Sequence, residues 1–180
     1  MIEGFDLQVS AGEIVRLSGR NGSGKSTLLK LISQNLVPTL GQIDLGGAEP
    51  AVYMDQNAGD MVAHPLTIRE HFSAFAGRSG AGRYGSLPHE AELVSLGLGD
   101  VLDDFVGHRS GGQKQIISLL TILQSGAMIL CLDEFSAALD AVARSVAGNL
   151  IQRYASDGVI FFVVSHSDLP GLIPREVSLD

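Results

Sequence analysis

The chain has 180 residues, of which 45% are hydrophobic and 18% charged, and its formal net charge is −8 at pH 7. This length suits one domain with a real core, and the composition excludes a disordered or fibrous chain. The negative charge argues against a broad duplex nucleic-acid surface, which requires clustered Lys and Arg, so no nucleic-acid partner is expected.

The single cysteine, Cys131, excludes an internal disulfide and suits a reducing compartment. The chain shows no secretory signal and no apolar run long enough to cross a bilayer. A cytoplasmic location is therefore expected, with any membrane association made through a partner. Within its apolar run, Cys131 is expected to be a buried residue and not a reactive thiol.

The first part of the chain alternates short apolar segments with glycine turns. Phe5, Leu7 and Val9 alternate with polar residues, which predicts a half-buried strand. The predicted elements up to residue 57 are strands at 5–9, 14–17, 42–45 and 51–54, and a helix at 26–34.

Residues 57–110 differ in pattern and predict a helical subdomain, with helices at 67–75 and 88–96. Dense apolar runs at 127–132 and 159–164 are typical of parallel strands that are covered on both faces. Two helices are predicted beside these strands, one at 113–124 and one at 138–154, the latter with Leu139, Val142, Val146 and Ile151 on one face. One α/β domain with a mostly parallel sheet is expected, its nucleotide-binding core formed by 1–56 and 111–180.

A glycine-rich loop follows the predicted strand at 14–17 and opens a helix. Gly19, Gly24, Lys25 and Ser26 have the spacing of a phosphate-binding loop, in which backbone N–H groups and the helix N-terminus surround the phosphates. Lys25 would neutralise the β- and γ-phosphates, and Ser26 would ligate Mg²⁺. The alternative, a strand–helix turn that binds nothing, is the minority interpretation for this pattern.

Two carboxylates, Asp133 and Glu134, end the apolar run at 127–132. In open α/β sheets, ligands bind at the carboxyl ends of the strands. Asp133 would hold Mg²⁺, directly or through water, and Glu134 would polarise the water that attacks the γ-phosphate. An exposed acidic strand end without a function is the alternative, which the phosphate loop disfavours.

With these motifs, the chain resembles the ATP-binding cassette (ABC) ATPases, the nucleotide-binding subunits of ABC transporters. The resemblance covers nearly the whole chain and implies the P-loop NTPase fold of ABC type, with a shortened N-terminal antiparallel portion. Six segments carry it in family order: Gly19–Thr27 (Walker A), Tyr53–Gln56 (Q-loop), Arg109–Gln113 (signature), Met128–Glu134 (Walker B), Ser136–Asp140 (D-loop) and His166 (switch histidine).

The resemblance assigns a role to each motif. It implies that Gln56, Glu134 and His166 act in catalysis, and that Ser26, Gln56 and Asp133 serve the metal. The residues expected to bind ATP are Gly19, Asn21, Gly22, Ser23, Gly24, Lys25, Ser26 and Thr27. The signature residues expected to act on the nucleotide of a second subunit are Ser110, Gly111, Gly112 and Gln113. Asp140 would link the two sites across the dimer.

The family likeness also implies partners and a mechanism. Two subunits, identical or paralogous, would close head-to-tail over two ATP molecules with Mg²⁺. The segment 57–110 would dock on an integral membrane permease at the cytoplasmic face, with a substrate-binding protein as a further partner. The open alternatives are a soluble ABC ATPase acting in repair, translation or complex assembly, and a binding or scaffold subunit without hydrolysis. Retention of Glu134 and His166 argues against the second of these.

Two features depart from the family pattern. Arg109 replaces the leucine that usually opens the signature, and its side chain is expected to point to solvent, with contact to a partner as the alternative. In the family, an N-terminal strand carries an aromatic residue that stacks on adenine, and that strand is expected to be missing before the Walker A loop. Phe5 falls on the strand that should follow it, so the base is expected to be held weakly or by another element.

Overall fold

The structure, a computed structural model, describes residues 4–47, 51–57, 62, 65–76 and 90–180. The strands are β1 (Ile14–Ser18), β2 (Val52–Met54), β3 (Ile129–Asp133), β4 (Ile160–Val164) and β5 (Arg175–Ser178). The α-helices are α1 (Lys25–Ile32), α2 (Ile68–Ala76), α3 (Glu90–Ser95), α4 (Gly111–Gln124) and α5 (Ala141–Ser156). Short 3₁₀ turns lie at Gly99–Val101, Val106–His108 and Phe135–Ala138.

The five strands form one sheet in the order β2-β3-β4-β1-β5, and every neighbouring pair is parallel. β4 lies between β1 and β3, so the carboxyl ends of these three strands are adjacent at one edge of the sheet. The predicted α/β fold with a mostly parallel sheet is confirmed. This strand order brings the loops after β1, β3 and β4 to a common edge, where ligands bind in such sheets.

The core lies on both faces of the sheet, as the dense apolar runs predicted. All five residues of β3 are buried. Ile129 and Cys131 pack with Leu29 of α1 on one face, and Leu130 and Leu132 pack with the α4 and α5 layer on the other. Burial raises the pKa of the Cys131 thiol to about 12, which fits the expected inert residue.

The helices between β2 and β3 share the core of that second layer. Ile68 and Phe72 of α2, Leu93 of α3 and Val106 are buried in the same cluster as Ile116 of α4. Backbone hydrogen bonds also join the start of α2 to the segment 102–106. Separation of 57–110 as a subdomain stays a prediction.

Several elements differ from the prediction. Residues 5–9 keep the expected alternation of burial but form no strand, and 42–45 also form none. The second error has a physical reason, because Gly41, Gly46 and Gly47 flank a segment that is largely exposed. In α5, Val142 is 56% exposed and does not share the buried face. β5 was not predicted, because three of its four residues are polar. No helix in the described part of the chain is long and apolar enough to cross a membrane.

Candidate nucleotide site

The phosphate-loop segment 19–24 turns the chain from the end of β1 into α1. Gly24 precedes the helix with φ of 104°, a conformation that L side chains rarely adopt. At Gly19, with φ of 139°, a Cβ atom would lie 2.7 Å from the Ser23 hydroxyl oxygen. In the described part of the chain, no side-chain hydrogen bond caps the start of α1, and the first N–H groups of a helix lack partners within the helix, so they are available to an anion.

The remaining loop residues divide by exposure. Asn21, Gly22, Ser26 and Thr27 are exposed, so a ligand can reach them. Ser23 is partly buried, and its Oγ has no hydrogen-bond partner among the described residues.

Lys25 is folded back onto its own loop. Its Nζ donates to the carbonyl oxygens of Gly19 at 2.7 Å and Arg20 at 2.9 Å, and the residue is buried. An ammonium group has three N–H donors, and these two bonds use only two of them. The side chain is thus held inside the loop with donor capacity to spare.

Asp133 ends β3 in a buried position with one carboxylate oxygen unused. Its Oδ2 accepts a hydrogen bond from the Tyr53 hydroxyl at 2.8 Å. Its Oδ1 is buried and has no partner among the described residues. A buried unpaired carboxylate oxygen is costly, and oxygen ligands are what Mg²⁺ prefers, so this residue fits a place beside a hydrated Mg²⁺ ion.

The described residues contain no group of three or more His, Cys, Asp and Glu side chains that could hold a metal ion alone. Mg²⁺ usually keeps several waters and is bound through one or two carboxylates together with substrate phosphates.

Glu134 and His166 meet at the adjacent ends of β3 and β4. Glu134 Oε1 lies 3.2 Å from His166 Nε2, and both side chains remain accessible. The Glu134 backbone N–H donates to the Val164 carbonyl at 2.8 Å, which joins the ends of the two strands. Glu134 has φ of 47°, a left-handed conformation that costs free energy in a non-glycine residue and is often found at functional sites.

The segment around His166 is fixed by polar contacts that the sequence did not indicate. Ser165 donates to the Ser167 carbonyl at 2.6 Å, so the 2.7 Å contact between the Ser136 and Ser165 hydroxyls takes its hydrogen from Ser136. Arg16 of β1 donates to the Ser165 carbonyl at 3.1 Å. These bonds connect the segments after β3 and β4 with β1.

Gln56 is exposed just after β2. Its backbone carbonyl accepts from Nε2 of Gln115 at 3.1 Å, and Gln115 is buried on α4. Its side chain makes no hydrogen bond to Asp133 or Glu134 in the described part of the chain. The structure thus brings the Gln56 backbone into contact with α4, and no local sequence pattern indicated this role of Gln115.

The signature residues open α4. The Ser110 hydroxyl accepts from the Gln113 backbone N–H at 3.2 Å, and Gln113 Oε1 accepts from the Ser110 N–H at 3.1 Å. This capping box leaves the Ser110 hydroxyl hydrogen free to donate. A Cβ at Gly111 would meet no atom of the described residues within 4 Å, whereas a Cβ at Gly112 would lie 2.7 Å from the Ala138 carbonyl oxygen. No hydrogen bond among the described residues joins 110–113 to the phosphate-loop segment.

Asp140 caps the following helix. Its side chain accepts from the Ala143 backbone N–H at 2.8 Å at the start of α5. The residue is exposed, and the cap uses one of its two carboxylate oxygens.

The expectation that Arg109 points to solvent is wrong. Its side chain is only 16% exposed and pairs with Asp104 at 3.0 Å. Its Nε is buried without a partner in the described part of the chain. The 3₁₀ turn at 106–108 brings Arg109 back towards Asp104. The position of Arg109 at the start of the signature motif did not indicate this contact.

A second unexpected contact reaches the phosphate loop from Asp180, which follows β5. Asp180 Oδ1 accepts from the Arg20 backbone N–H at 2.9 Å and from Arg20 Nε at 3.3 Å. The hydrogen bond from the backbone N–H holds the pKa of Asp180 below its usual value, and the charges of Arg20 and Lys25 act in the same direction.

A phosphate loop after β1 and an acidic end of β3, in a parallel sheet, define a P-loop nucleotide-binding protein. The ABC transporter family model matches residues 2–137. Over 98% of its length, the chain is 30% identical to the cytochrome c biogenesis ATP-binding export protein CcmA of Bradyrhizobium diazoefficiens, of which it covers 88%. Over 92% of its length, it is 34% identical to the aliphatic sulfonates import ATP-binding protein SsuB of Pseudomonas putida, of which it covers 62%.

A solved structure gives the same fold. An ABC transporter ATP-binding protein from Pyrococcus furiosus superposes with a TM-score of 0.80 at 24% identity, covering 99% of this chain and 90% of that one. The chain belongs to the ABC transporter family. It is an ATP-binding ATPase of the kind that powers transport.

Proposed function

We propose that Glu134 and His166 form the hydrolytic centre of this ATPase and that the chain works as one half of a head-to-tail dimer driving a separate membrane permease. The observation that carries the proposal is the 3.2 Å contact between Glu134 Oε1 and His166 Nε2, beside a buried Asp133 with an unpaired oxygen. All three residues lie at the sheet edge where β1 leads into the phosphate loop.

The phosphate loop would hold the triphosphate through backbone amides of 19–27, including those of Asn21, Gly22 and Ser23. Lys25 Nζ would exchange its contacts with the Gly19 and Arg20 carbonyls for phosphate oxygens. Ser26, Gln56 and Asp133 would serve Mg²⁺, which when bound would neutralise charge on the β- and γ-phosphates. The exposed hydroxyl of Ser26 and the unpaired Oδ1 of Asp133 support these assignments.

Glu134 would accept a hydrogen bond from the attacking water and polarise it. His166, which already reaches the Glu134 carboxylate, would contact the γ-phosphate and stabilise the charge that develops there. The left-handed backbone at Glu134 supports a functional origin of this geometry, because such strain persists only where the surroundings enforce it.

The second half of each site would come from the other subunit. Among the described residues, no acceptor takes the Ser110 hydroxyl hydrogen and no atom lies within 4 Å of a Cβ position at Gly111, which supports an open phosphate site at this end of α4. Gly112 and Gln113 hold the end in shape, and Asp140 lies nearby on the turn against which Gly112 packs. A single chain would then be catalytically incomplete.

Mixing two complementary variants tests this arrangement. Lys25→Ala removes the phosphate contact but keeps the signature, and Gly111→Glu places a negative charge in the signature without a steric clash in its own chain. Each variant alone should be inactive, with Gly111→Glu still binding ATP. Because mixed dimers contain one intact composite site, the mixture should hydrolyse ATP. A mixture that does not hydrolyse ATP would contradict the head-to-tail dimer, but it would not contradict ATP binding by the phosphate loop.

The permease would dock on the segment 57–110 and hold the chain at the cytoplasmic face of the membrane. The named relatives are ATP-binding proteins of an export system and an import system, which supports a transport role. Purification with a membrane protein and stimulation of ATP hydrolysis by that protein are the expected results. Full turnover with no membrane protein present would favour the non-transport ATPase instead.

A further inference from the structure

The Tyr53 side chain on β2 contacts Asp133, the Walker B aspartate, at the end of the neighbouring strand β3. Tyr53 lies on β2, and its Cα partner on β3 is Cys131. Side chains two residues apart on a strand share one face, so Asp133 lies on the same face as Cys131. The tyrosine ring therefore reaches diagonally towards the carboxyl end of β3, where its hydroxyl oxygen lies 2.8 Å from Asp133 Oδ2.

The hydroxyl hydrogen is committed to Asp133. Asp55 Oδ2 is the other acceptor near the hydroxyl, at 3.4 Å, and a phenol has one hydrogen to donate. The shorter contact takes that hydrogen.

The tyrosine ring is also held from the helix side. Lys30 Nζ of α1 lies 5.7 Å from the ring centroid, within the range of a cation–π contact. The ring packs with the cluster that contains Leu29 and Cys131. Tyr53 is thus fixed between the helix that follows the phosphate loop and the strand that ends in Asp133.

We propose that Tyr53 is a positioning residue that fixes the rotation of the Asp133 carboxylate, so that Oδ2 is hydrogen-bonded and Oδ1 faces the Mg²⁺ of bound nucleotide. The inference rests on the proposed function, because it takes Asp133 as a magnesium-serving group. Without the hydroxyl, both carboxylate oxygens would lack a protein donor, and the group would turn or draw in water.

Tyr53→Phe removes the hydroxyl and keeps the ring, and Tyr154→Phe is the matched control. Tyr154 lies in α5, in the cluster on the opposite face of the sheet. The readout is binding of a fluorescent ATP analogue at increasing Mg²⁺ and in EDTA. The Mg²⁺ concentration for half-maximal enhancement should rise about tenfold in Tyr53→Phe, as for loss of an outer-shell partner, and stay at the parent value in Tyr154→Phe.

Two results would overturn the inference. One is an unchanged Mg²⁺ curve in Tyr53→Phe, and the other is an equal loss of affinity with and without Mg²⁺, which indicates a merely structural role. If the nucleotide affinity of the parent protein does not depend on Mg²⁺, both the proposed magnesium ligation and this inference would be overturned. A magnesium-dependent parent with an unchanged Tyr53→Phe variant would overturn the inference alone.

A measurement on the parent does not depend on the folding of Tyr53→Phe. The chain has three tyrosines, and replacement of all three by 3-fluorotyrosine gives one ¹⁹F resonance each. Tyr84→Phe and Tyr154→Phe assign the Tyr53 signal by elimination. Addition of Mg²⁺ to the ATP-bound protein should shift the Tyr53 signal and leave that of Tyr154 in place. An unmoved Tyr53 signal would contradict the proposal.

Discussion

Glu134 Oε1 lies 3.2 Å from His166 Nε2, although the two residues follow different strands of the sheet. The parallel pairing of Asp133 with Val164 brings these strand ends side by side. The hydrogen bond from the Glu134 N–H to the Val164 carbonyl then fixes the spacing of the two side chains. The sheet register therefore brings the two residues together.

Glu134→Gln should separate nucleotide binding from hydrolysis. Glutamine keeps the size of the side chain but is too weak a base to polarise water, so turnover should fall by about 100-fold or more. ATP binding should remain, and the ATP-bound dimer should accumulate. Phosphate release measures the first effect and size-exclusion chromatography with ATP the second. Turnover at the parent rate would contradict the role of Glu134.

Two adjacent glycines of the signature should respond differently to alanine. At Gly112 a new Cβ would press on the Ala138 carbonyl, so Gly112→Ala should destabilise the fold by about 1–3 kcal/mol. At Gly111 no atom of the described part of the chain lies within 4 Å of the new atom, so Gly111→Ala should unfold at or above the parent temperature. Thermal unfolding without nucleotide compares the two, and equal melting temperatures would contradict the packing of α4 on this turn.

Most of the site could be predicted from the sequence because its residues follow strands directly. The buried apolar runs that end at Asp133 and Val164 form neighbouring parallel strands, so the residues after them meet at one sheet edge. The phosphate loop follows β1 in the same way. For these segments, the sequence pattern that predicts where a strand ends also predicts where the next residues lie in the fold.

Contacts between side chains could not be predicted in this way. The Tyr53 bond to Asp133 depends on the register of β2 against β3, which no local pattern specifies. The burial of Arg109 depends on the turn at 106–108. The strand β5 is mostly polar and is stabilised by pairing with β1, so periodicity could not reveal it.

Replacement of Arg109 tests whether its charge stabilises the fold. Its Nε is buried and has no hydrogen-bond partner among the residues that the structure describes, while Asp104 is 52% exposed and can be solvated without it. Arg109→Leu should therefore be within about 1 kcal/mol of the parent in free energy of unfolding. Arg109→Ala should be less stable than Arg109→Leu, since it also loses the packing of the side-chain stem. Urea unfolding measures both, and a leucine variant less stable than the alanine variant would contradict this view.

His71 should make the stability depend on pH. Burial lowers the pKa of this histidine, whose Nε2 lies 3.1 Å from the Thr121 hydroxyl between α2 and α4. Above its ordinary pKa of about 6.5 both the folded and unfolded forms are neutral. Below that pH, His71 becomes protonated in the unfolded chain but stays neutral in the folded chain, so the free energy of unfolding falls. Carboxylates with lowered pKa, such as Asp103, lose their contribution to stability only at more acidic pH.

Urea unfolding at pH 7.5 and 5.5 should show a loss of stability at the lower pH in the parent and a smaller loss in His71→Leu. Equal losses in the two proteins would contradict the role of His71.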